Sequence, residues 1–469
     1  MGISTNSLNF IYVSKSNLDS IPIVNGQVIV ISNSNINEMY IDINNSRHRF
    51  INDEYTFICN GEDDSTRLAE LINQKLVDSD NFNLRLNIVG NFKLVDTPQY
   101  SCEIESGENL VCYIPIISAN NLQRVSNIEL DFSNANIIEP ISSTHINGKN
   151  VLMFYLDADV NFTIKNLHLN KTNPLIGSLI YSKQSGTLNI IDSHIYCNMI
   201  YDVPYSCITN ETSDESICVN INNCEFYLNQ FTDLVNCQSN CNLNNCYIYL
   251  QRLHQYNGGN IKNCTLNSCN IFIDFNEYIS NNTSGILSNV DLYNSTIKVY
   301  GNLNIENIQT LQIIASEYIE NTVIDCDIQD ISQDATIPLR LVNFSDGTII
   351  NSTFNINQNN IIPYDVKFNG EVLYSDNINI ITSDILNNTI KATEGMIGLH
   401  ILGKPLSVKI VGNNIIHRSY NGSPYTSTAI DVNPSKYIFD SNVISKYSDV
   451  IFDGNLIEEL NYNNIRLDI

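Results

Sequence analysis

One pattern recurs along most of the chain: an apolar residue, any residue, a turn-type residue, a mostly small or polar residue, any residue, then a second apolar residue. The turn-type position falls at Asn166, Asp192, Asn223, Asn245, Ser268, Asn294, Asp325, Asn351, Asn387, Gly412 and Ser441. Two positions earlier stand Ile164, Ile190, Ile221, Leu243, Leu266, Leu292, Val323, Ile349, Ile385, Ile410 and Phe439. Three positions later stand Leu169, Ile195, Phe226, Ile248, Ile271, Ile297, Ile328, Phe354, Ile390, Ile415 and Ile444. Every flank is apolar in a chain that is only 43% hydrophobic, so composition alone does not produce the match. A weaker copy runs through Phe132, Asn134 and Ile137. Spacings of 22 to 36 residues mark stacked supersecondary units, and such a period decides the architecture before local propensity does.

The spacing has a geometric reading. Side chains on one face of a strand are separated by even numbers, whereas the two apolar flanks lie five apart, so the parity must flip once between them. One residue in a left-handed or bridge conformation does this, and Asn, Asp, Ser and Gly are the types that tolerate it. The next residue then also points inward: Leu167, Ser193, Cys224, Cys246, Cys269, Ser295, Cys326, Ser352, Asn388, Asn413 and Asn442. In parallel coils stacked at about 4.8 Å these form an internal ladder of small, similar side chains. Four cysteines are thereby explained as packing, since free Cys behaves as a small buried hydrophobe. A metal or disulfide cluster at Cys224, Cys237, Cys241 and Cys246 is the rival reading, and a Cys246 to Cys269 bridge is disfavoured by strand geometry.

The fold class expected is all-β: a right-handed parallel β-helix, a solenoid, with a short N-terminal β module and one capping helix. The expected division is 1–50 for the N-terminal module, 51–100 for the capping helix and entry strands, and 101–469 for the β-helix. Long gaps project as loops, such as Gln358 to Tyr364 and Tyr201 to Glu215. A leucine-rich repeat would need its own Leu and Asn spacing with a helical segment per turn, and a propeller would need blades of near-constant length.

In the N-terminal third, Val28 to Ile31 and Met39 to Ile43 read as strands joined by the polar turn Ser32 to Glu38, with the charged stretch Arg47, His48 and Arg49 following. Such a module is too small to bury much core alone. Ser65 is placed to cap an amphipathic helix with Leu68, Leu71, Ile72 and Leu76 on one face, and the strand Leu84 to Val89 then leads through Gly90 to Phe92. An open stack end exposes apolar side chains and strand edges, which a helix laid across it would cover.

Charge and cysteine usage bound the partners. The 50 acidic against 24 basic residues give a net charge of -26, which argues against nucleic acid. The 13 cysteines lack C-x-x-C pairs and are expected to be reduced. The opening MGISTNSLNFIYV has neither the charged n-region nor the apolar run of a secretory signal, and no stretch reaches the roughly 18 apolar residues of a membrane span. No membrane insertion, metal or cofactor is expected.

Pro22, Gly26 and Gln27, then Met39-Tyr40-Ile41-Asp42 and Asn44-Asn45-Ser46-Arg47, resemble the short N-terminal module of many bacteriophage tail fibres and other virion appendages. Asn60-Gly61-Glu62-Asp63-Asp64-Ser65-Thr66, followed by Val89-Gly90-Asn91-Phe92-Lys93-Leu94, is similar to the entry segment of phage tailspikes and pectate-lyase-like β-helices. That entry segment usually reads Gly-Asp-Asp-Thr, a helix, then Gly-x-Tyr or Gly-x-Phe; here Glu62 intrudes and Ser65 precedes Thr66. The resemblance implies a virion component of the tail or another exposed appendage, assembled in the bacterial host cytoplasm. It further implies a homotrimer that contacts other virion proteins through the N-terminal module.

Within that family the chain reads as a structural or host-surface adhesion protein; the alternative is a tailspike depolymerase, hydrolase or lyase, cleaving host surface polysaccharide. No catalytic residue is assigned. Hydrolysis needs two carboxylates, and the candidates are Asp157 with Asp159, Asp274 with Glu277, Glu317 with Glu320, and Asp325 with Asp327. Sugar binding would use aromatic faces, for which Tyr247, Tyr249 and Tyr256, or Tyr196, Tyr201 and Tyr205, are the candidate clusters. Tyrosine on exposed strand positions is the plainer reading of both. Only 28 residues follow Ser441, which leaves little room for a large C-terminal domain and favours the non-enzymatic reading.

Overall fold

The computed structural model describes residues 9–33, 36–43, 45–50, 53–78, 83–96, 100–103, 109–117, 126–138, 145–146, 149–169, 178–184, 186–197, 206–211, 218–228, 233–237, 240–252, 261–275, 286–303, 311–330, 336–356, 367–377, 382–393, 396–418, 427–446, 448–461 and 463–467. Strands dominate, and one α-helix, Asp64–Asp78, stands among the described residues. The chain makes repeated circuits through three long parallel sheets. A typical circuit runs Leu188–Ile191 in the first sheet, His194–Cys197 in the second and Ser206–Asn210 in the third, returning to the first at Cys218–Asn222. Each strand pairs in parallel with its counterpart one circuit on, as Ile190 with Ile221 and Ile195 with Phe226. In Leu311–Glu320 and Thr336–Ile350 a single strand carries both the third-sheet and first-sheet stretches. The arrangement is all-β and fits a β-helix.

The bends fall where the parity argument requires them. Asn166, Asp192, Asn223, Asn245, Ser268, Asn294, Asn351, Asn387, Gly412 and Ser441 all have positive φ, between 50° and 69°. Their apolar flanks enter one continuous core: Ile164, Ile190, Ile221, Leu243, Leu266, Leu292, Ile385 and Ile410 before the bend, and Ile195, Phe226, Ile248, Ile297, Phe354, Ile390, Ile415 and Ile444 after it, are all fully buried. Phe439, in the last circuit, is half-buried.

Two copies of the pattern are corrected. Asp325 is not a bend; Asn321 is, with φ 49°. Its flanks Ile319 and Ile324 are buried, whereas the expected flank Val323 is 37% exposed. The stretch Ile319 to Ile324 satisfies the same pattern, and Asn tolerates the left-handed region at least as well as Asp. Thr322, not Cys326, is therefore the inward residue after that bend; Cys326 is buried farther along the strand. At Asn134 the strand Ser126–Ile138 runs on without a left-handed residue. Its parity changes instead through a register shift against Asn83–Lys93, where Asn87 faces Asp131 but Val89 faces Asn134.

The inward residues after the bends share one rule. The peptide N–H of each is taken by the side chain of its counterpart one circuit on. Leu167 N–H donates to Ser193 Oγ at 3.1 Å. The N–H groups of Ser193, Cys224 and Cys246 face the sulfurs of Cys224, Cys246 and Cys269 at the equivalent place. Cys269, Ser295 and Thr322 donate to the hydroxyls of Ser295, Thr322 and Ser352. Ser352, Asn388, Asn413 and Asn442 then donate to the Oδ1 atoms of Asn388, Asn413, Asn442 and Asn464 at 2.9 to 3.0 Å. A buried amide without an acceptor costs as much as a lost hydrogen bond, and from Cys269 to Asn442 every amide of this row has one. No described cysteine is joined in a disulfide. Cys237's side chain lies outside the described residues.

The first circuits are closed by the helix. Leu68, Ala69 and Ile72 are fully buried and enter the same core as Phe57, Leu84 and Phe92, with Leu71 and Leu76 packed against it. Asn73 fixes the helix to the strand Asn109–Ile117, donating from Nδ2 to Pro115 O at 2.8 Å and accepting Ile117 N–H at 3.0 Å. Ser65 is not the cap; it lies inside the first turn, where its Oγ accepts Val95 N–H at 3.1 Å. Buried Asp64 does the organising, accepting from Asn60, Gly61 and Lys93 N–H groups and pairing with Arg67 at 2.9 Å.

Asn9–Val13, Gln27–Asn33, Ile36–Ile43 and Ser46–Phe50 form a separate four-stranded sheet. The strands extend into the expected turn, and the stretch Arg47 to Arg49 is itself a strand. Asp42, with 0% exposure, accepts from Arg47 Nε at 2.8 Å and from Val24 N–H at 3.0 Å. Arg47 also donates to the carbonyls of Leu18 and Ile21. This paired charge pins the segment before the second strand onto the sheet. Of the expected loops, Gln358 to Tyr364 lies outside the described residues, while Tyr201 to Glu215 contains the third-sheet strand Ser206–Asn210.

Candidate functional site

The second sheet turns Ile271, Ile273, Ile297 and Val299 into the core, so alternate residues of the same strands form its outer surface. One outer row runs Tyr196, Tyr227, Tyr249, Phe272, Lys298, Asp325, Asn355 and Lys391, each residue facing the next across neighbouring strands. A parallel row runs Gln251, Asp274, Tyr300 and Asp327. Acids from two separate candidate pairs thus meet on one face. Asp274 and Asp327 are two circuits apart, about 9 to 10 Å along the stack, with Tyr300 between them. Tyr300 is 46% exposed.

The aromatic members pack against one another. Tyr196 and Tyr227 stack at 4.5 Å between ring centres with planes 9° apart, and Tyr249 and Phe272 at 5.6 Å and 7°. His194 stacks on Tyr196 and Tyr227 at the N-terminal end of the stripe and pairs with Glu225 at 3.0 Å. Rings stacked in this way cover each other's faces and present edges and hydroxyls outward. Tyr249 donates its hydroxyl to Asp274, and that bond together with burial pushes the phenol well above its ordinary range, so it remains a donor. Asp325 accepts from Asn355 Nδ2.

Other candidates fall elsewhere. Asp157 ends a third-sheet strand, with Asp159 exposed beyond it. Glu317 accepts from Ser345 Oγ at 3.1 Å and Glu320 from the Tyr318 hydroxyl at 2.9 Å, so this pair flanks Tyr318, which stacks on Tyr293. Glu277, Tyr201, Tyr205 and Tyr256 lie outside the described residues. Half-buried Asp291, missed in the sequence, joins the Glu317 group, its carboxyl pushed up by burial and by Glu317.

A second missed cluster lies on the third-sheet side. Glu371 is held by Arg340 Nε and His400 Nδ1, each at 3.2 Å, while Arg340 lies over the Tyr374 ring at 3.7 Å. Its carboxyl is lowered despite burial because His400 and Arg340 bind the ionised form. The register that gathers these residues spans circuits of unequal length, which no local spacing reveals.

Among the described residues no group of three or more His, Cys, Asp or Glu is placed to hold a metal ion, and no helix is long and apolar enough to cross a membrane. No family model, curated protein or solved structure matches the chain.

Proposed function

We propose that the chain is a right-handed parallel β-helix serving as a bacteriophage virion appendage of the tail fibre or tailspike type, with a structural or host-surface adhesion role. Parallel connections within one sheet are right-handed in nearly all proteins, which supports the handedness. The small separate sheet at residues 9–50 supports an attachment module for other virion proteins, and the long stack supports a rigid spike; the homotrimer follows from the resemblance to phage appendages alone.

The observation that carries the adhesion reading is exposed Tyr300 between Asp274 and Asp327, beside a row of outward tyrosines. An aromatic ring flanked by carboxylates fits a sugar, offering apolar area to the ring and acceptors to its hydroxyls. Asp274 and Asp325 already have oriented partners in Tyr249 and Asn355, as acceptors in a binding face require.

One observation favours the depolymerase as a second reading: a two-circuit separation of Asp274 and Asp327 approaches the roughly 6.5 to 9.5 Å of an inverting hydrolase. Incubation with host capsular or wall polysaccharide separates the two. Adhesion predicts binding, lost in Tyr300→Ala, with no new reducing ends or unsaturated sugars. Release of sugar that Asp327→Asn abolishes would make the protein an enzyme, and absence of both binding and release would leave a building block.

A further inference from the structure

The ladder sulfurs reach backbone carbonyls, and those of Cys246 and Cys269 also neighbour one another. Cys224, Cys246 and Cys269 donate to the carbonyls of Ile190, Ile221 and Leu243. Two other pairs direct sulfur at sulfur. Cys102 and Cys112, on the antiparallel pair Tyr100–Glu103 and Asn109–Ile117, bring their Sγ atoms to 2.9 Å. Cys197, at the end of a second-sheet strand, and Cys207, in the third-sheet strand that follows, bring theirs to 3.0 Å. Unbonded heavy atoms settle at roughly 3.5 to 4.0 Å, so both contacts are close. Both pairs span ten residues, and all four side chains are buried.

We infer that Cys102 with Cys112, and Cys197 with Cys207, are disulfide-forming sites that close when the folded chain meets a small-molecule disulfide. The thiolate of one cysteine attacks the small disulfide, forming a mixed disulfide and releasing one small thiol. The partner cysteine, as thiolate, then attacks the protein sulfur of the mixed disulfide and releases the second small thiol. Two protein thiols are oxidised and one small disulfide is reduced to two thiols, which carry away the two protons. The first bridge fastens the edge strand of the third sheet to its neighbour. The second ties the end of the second-sheet strand His194–Cys197 to the third-sheet strand Ser206–Asn210. Cys112, hydrogen-bonded to Cys102 and buried, and Cys197, chiefly through burial, are pushed up in pKa, so exchange in the closed fold is slow at neutral pH.

The test takes the full chain, purified reduced, through oxidised glutathione at mildly alkaline pH. Alkylation in denaturant and digestion without reductant follow, with the peptides read by mass spectrometry. The expected map contains the 102–112 and 197–207 cross-links, consumes four of the 13 thiols and accompanies a rise in Tm of several degrees. Cys112→Ser and Cys207→Ser each remove only their own cross-link. Full alkylation of the four residues, persistent glutathione adducts on them, or bridges scrambled among the ladder cysteines would overturn the inference. The map of the unsubstituted chain decides this even where a variant fails to fold.

Discussion

The inward row has two chemistries at the same structural position. In the circuits of Cys224, Cys246 and Cys269, sulfurs reach the previous circuit's carbonyls at 3.4 to 3.6 Å. In the circuits of Asn388, Asn413 and Asn442, Nδ2 reaches the equivalent carbonyls of Ile349, Ile385 and Ile410 at 2.7 to 2.8 Å, while Oδ1 takes the neighbouring amide. Both halves satisfy the same backbone groups. A thiol does so weakly at small volume, whereas a carboxamide does so in two directions and stitches three circuits together. What the position requires is an acceptor; how strongly circuits are coupled depends on the side chain that supplies it.

Asn413→Ala should be the most damaging change to that contrast. It strands Asn388 N–H and Ile385 O in the interior, and a loss of about 3 to 5 kcal/mol is expected in urea unfolding. Next come the bends. Asn321→Val forces a β-branched residue into positive φ and should cost about 2 to 3 kcal/mol, whereas Asp325→Val, on the outer face, loses only the bond from Asn355 and should cost about 1 kcal/mol or less. Equal effects would restore the bend to Asp325.

The asparagine half also holds His417, buried with Nε2–H donating to Met396 O and Nδ1 accepting from Ser448 Oγ, both at 2.9 Å. Burial lowers its pKa, so the unfolded chain takes up the proton first. Stability from this residue is therefore complete above the ordinary His value of about 6.5 and falls as pH drops below it, by at most about 1.4 kcal/mol per pH unit. Hydrogen exchange at pH 5 against pH 7.5 should show lost protection in 396–418 beyond any change in 240–250. Cys246→Ser should cost about 1 kcal/mol or less, because a hydroxyl can donate to the same Ile221 carbonyl.

The bends and their apolar flanks were legible because a left-handed residue and a five-residue parity flip are both local. Asp325 misled because Ile319 to Ile324 carries the same pattern four residues earlier. The third sheet was harder: Ser206–Asn210 is buried on both faces, so it shows no alternation, and it was expected to be loop. Asp64 stands inside the motif Asn60 to Thr66, but its organising role depends on Lys93, which reaches it only when the strand Asn83–Lys93 returns. Asp274, Tyr300 and Asp327 come together through strand register, and the variable loop lengths hide that register from the sequence.

Side-chain-resolution crystallography of the full chain tests the central claim most directly. Density should show Ile190, Ile221, Leu243 and Leu266 in one inward file on parallel neighbours, each followed by a left-handed residue and an inward acceptor. Outward isoleucines, or an antiparallel neighbour within that file, would contradict it.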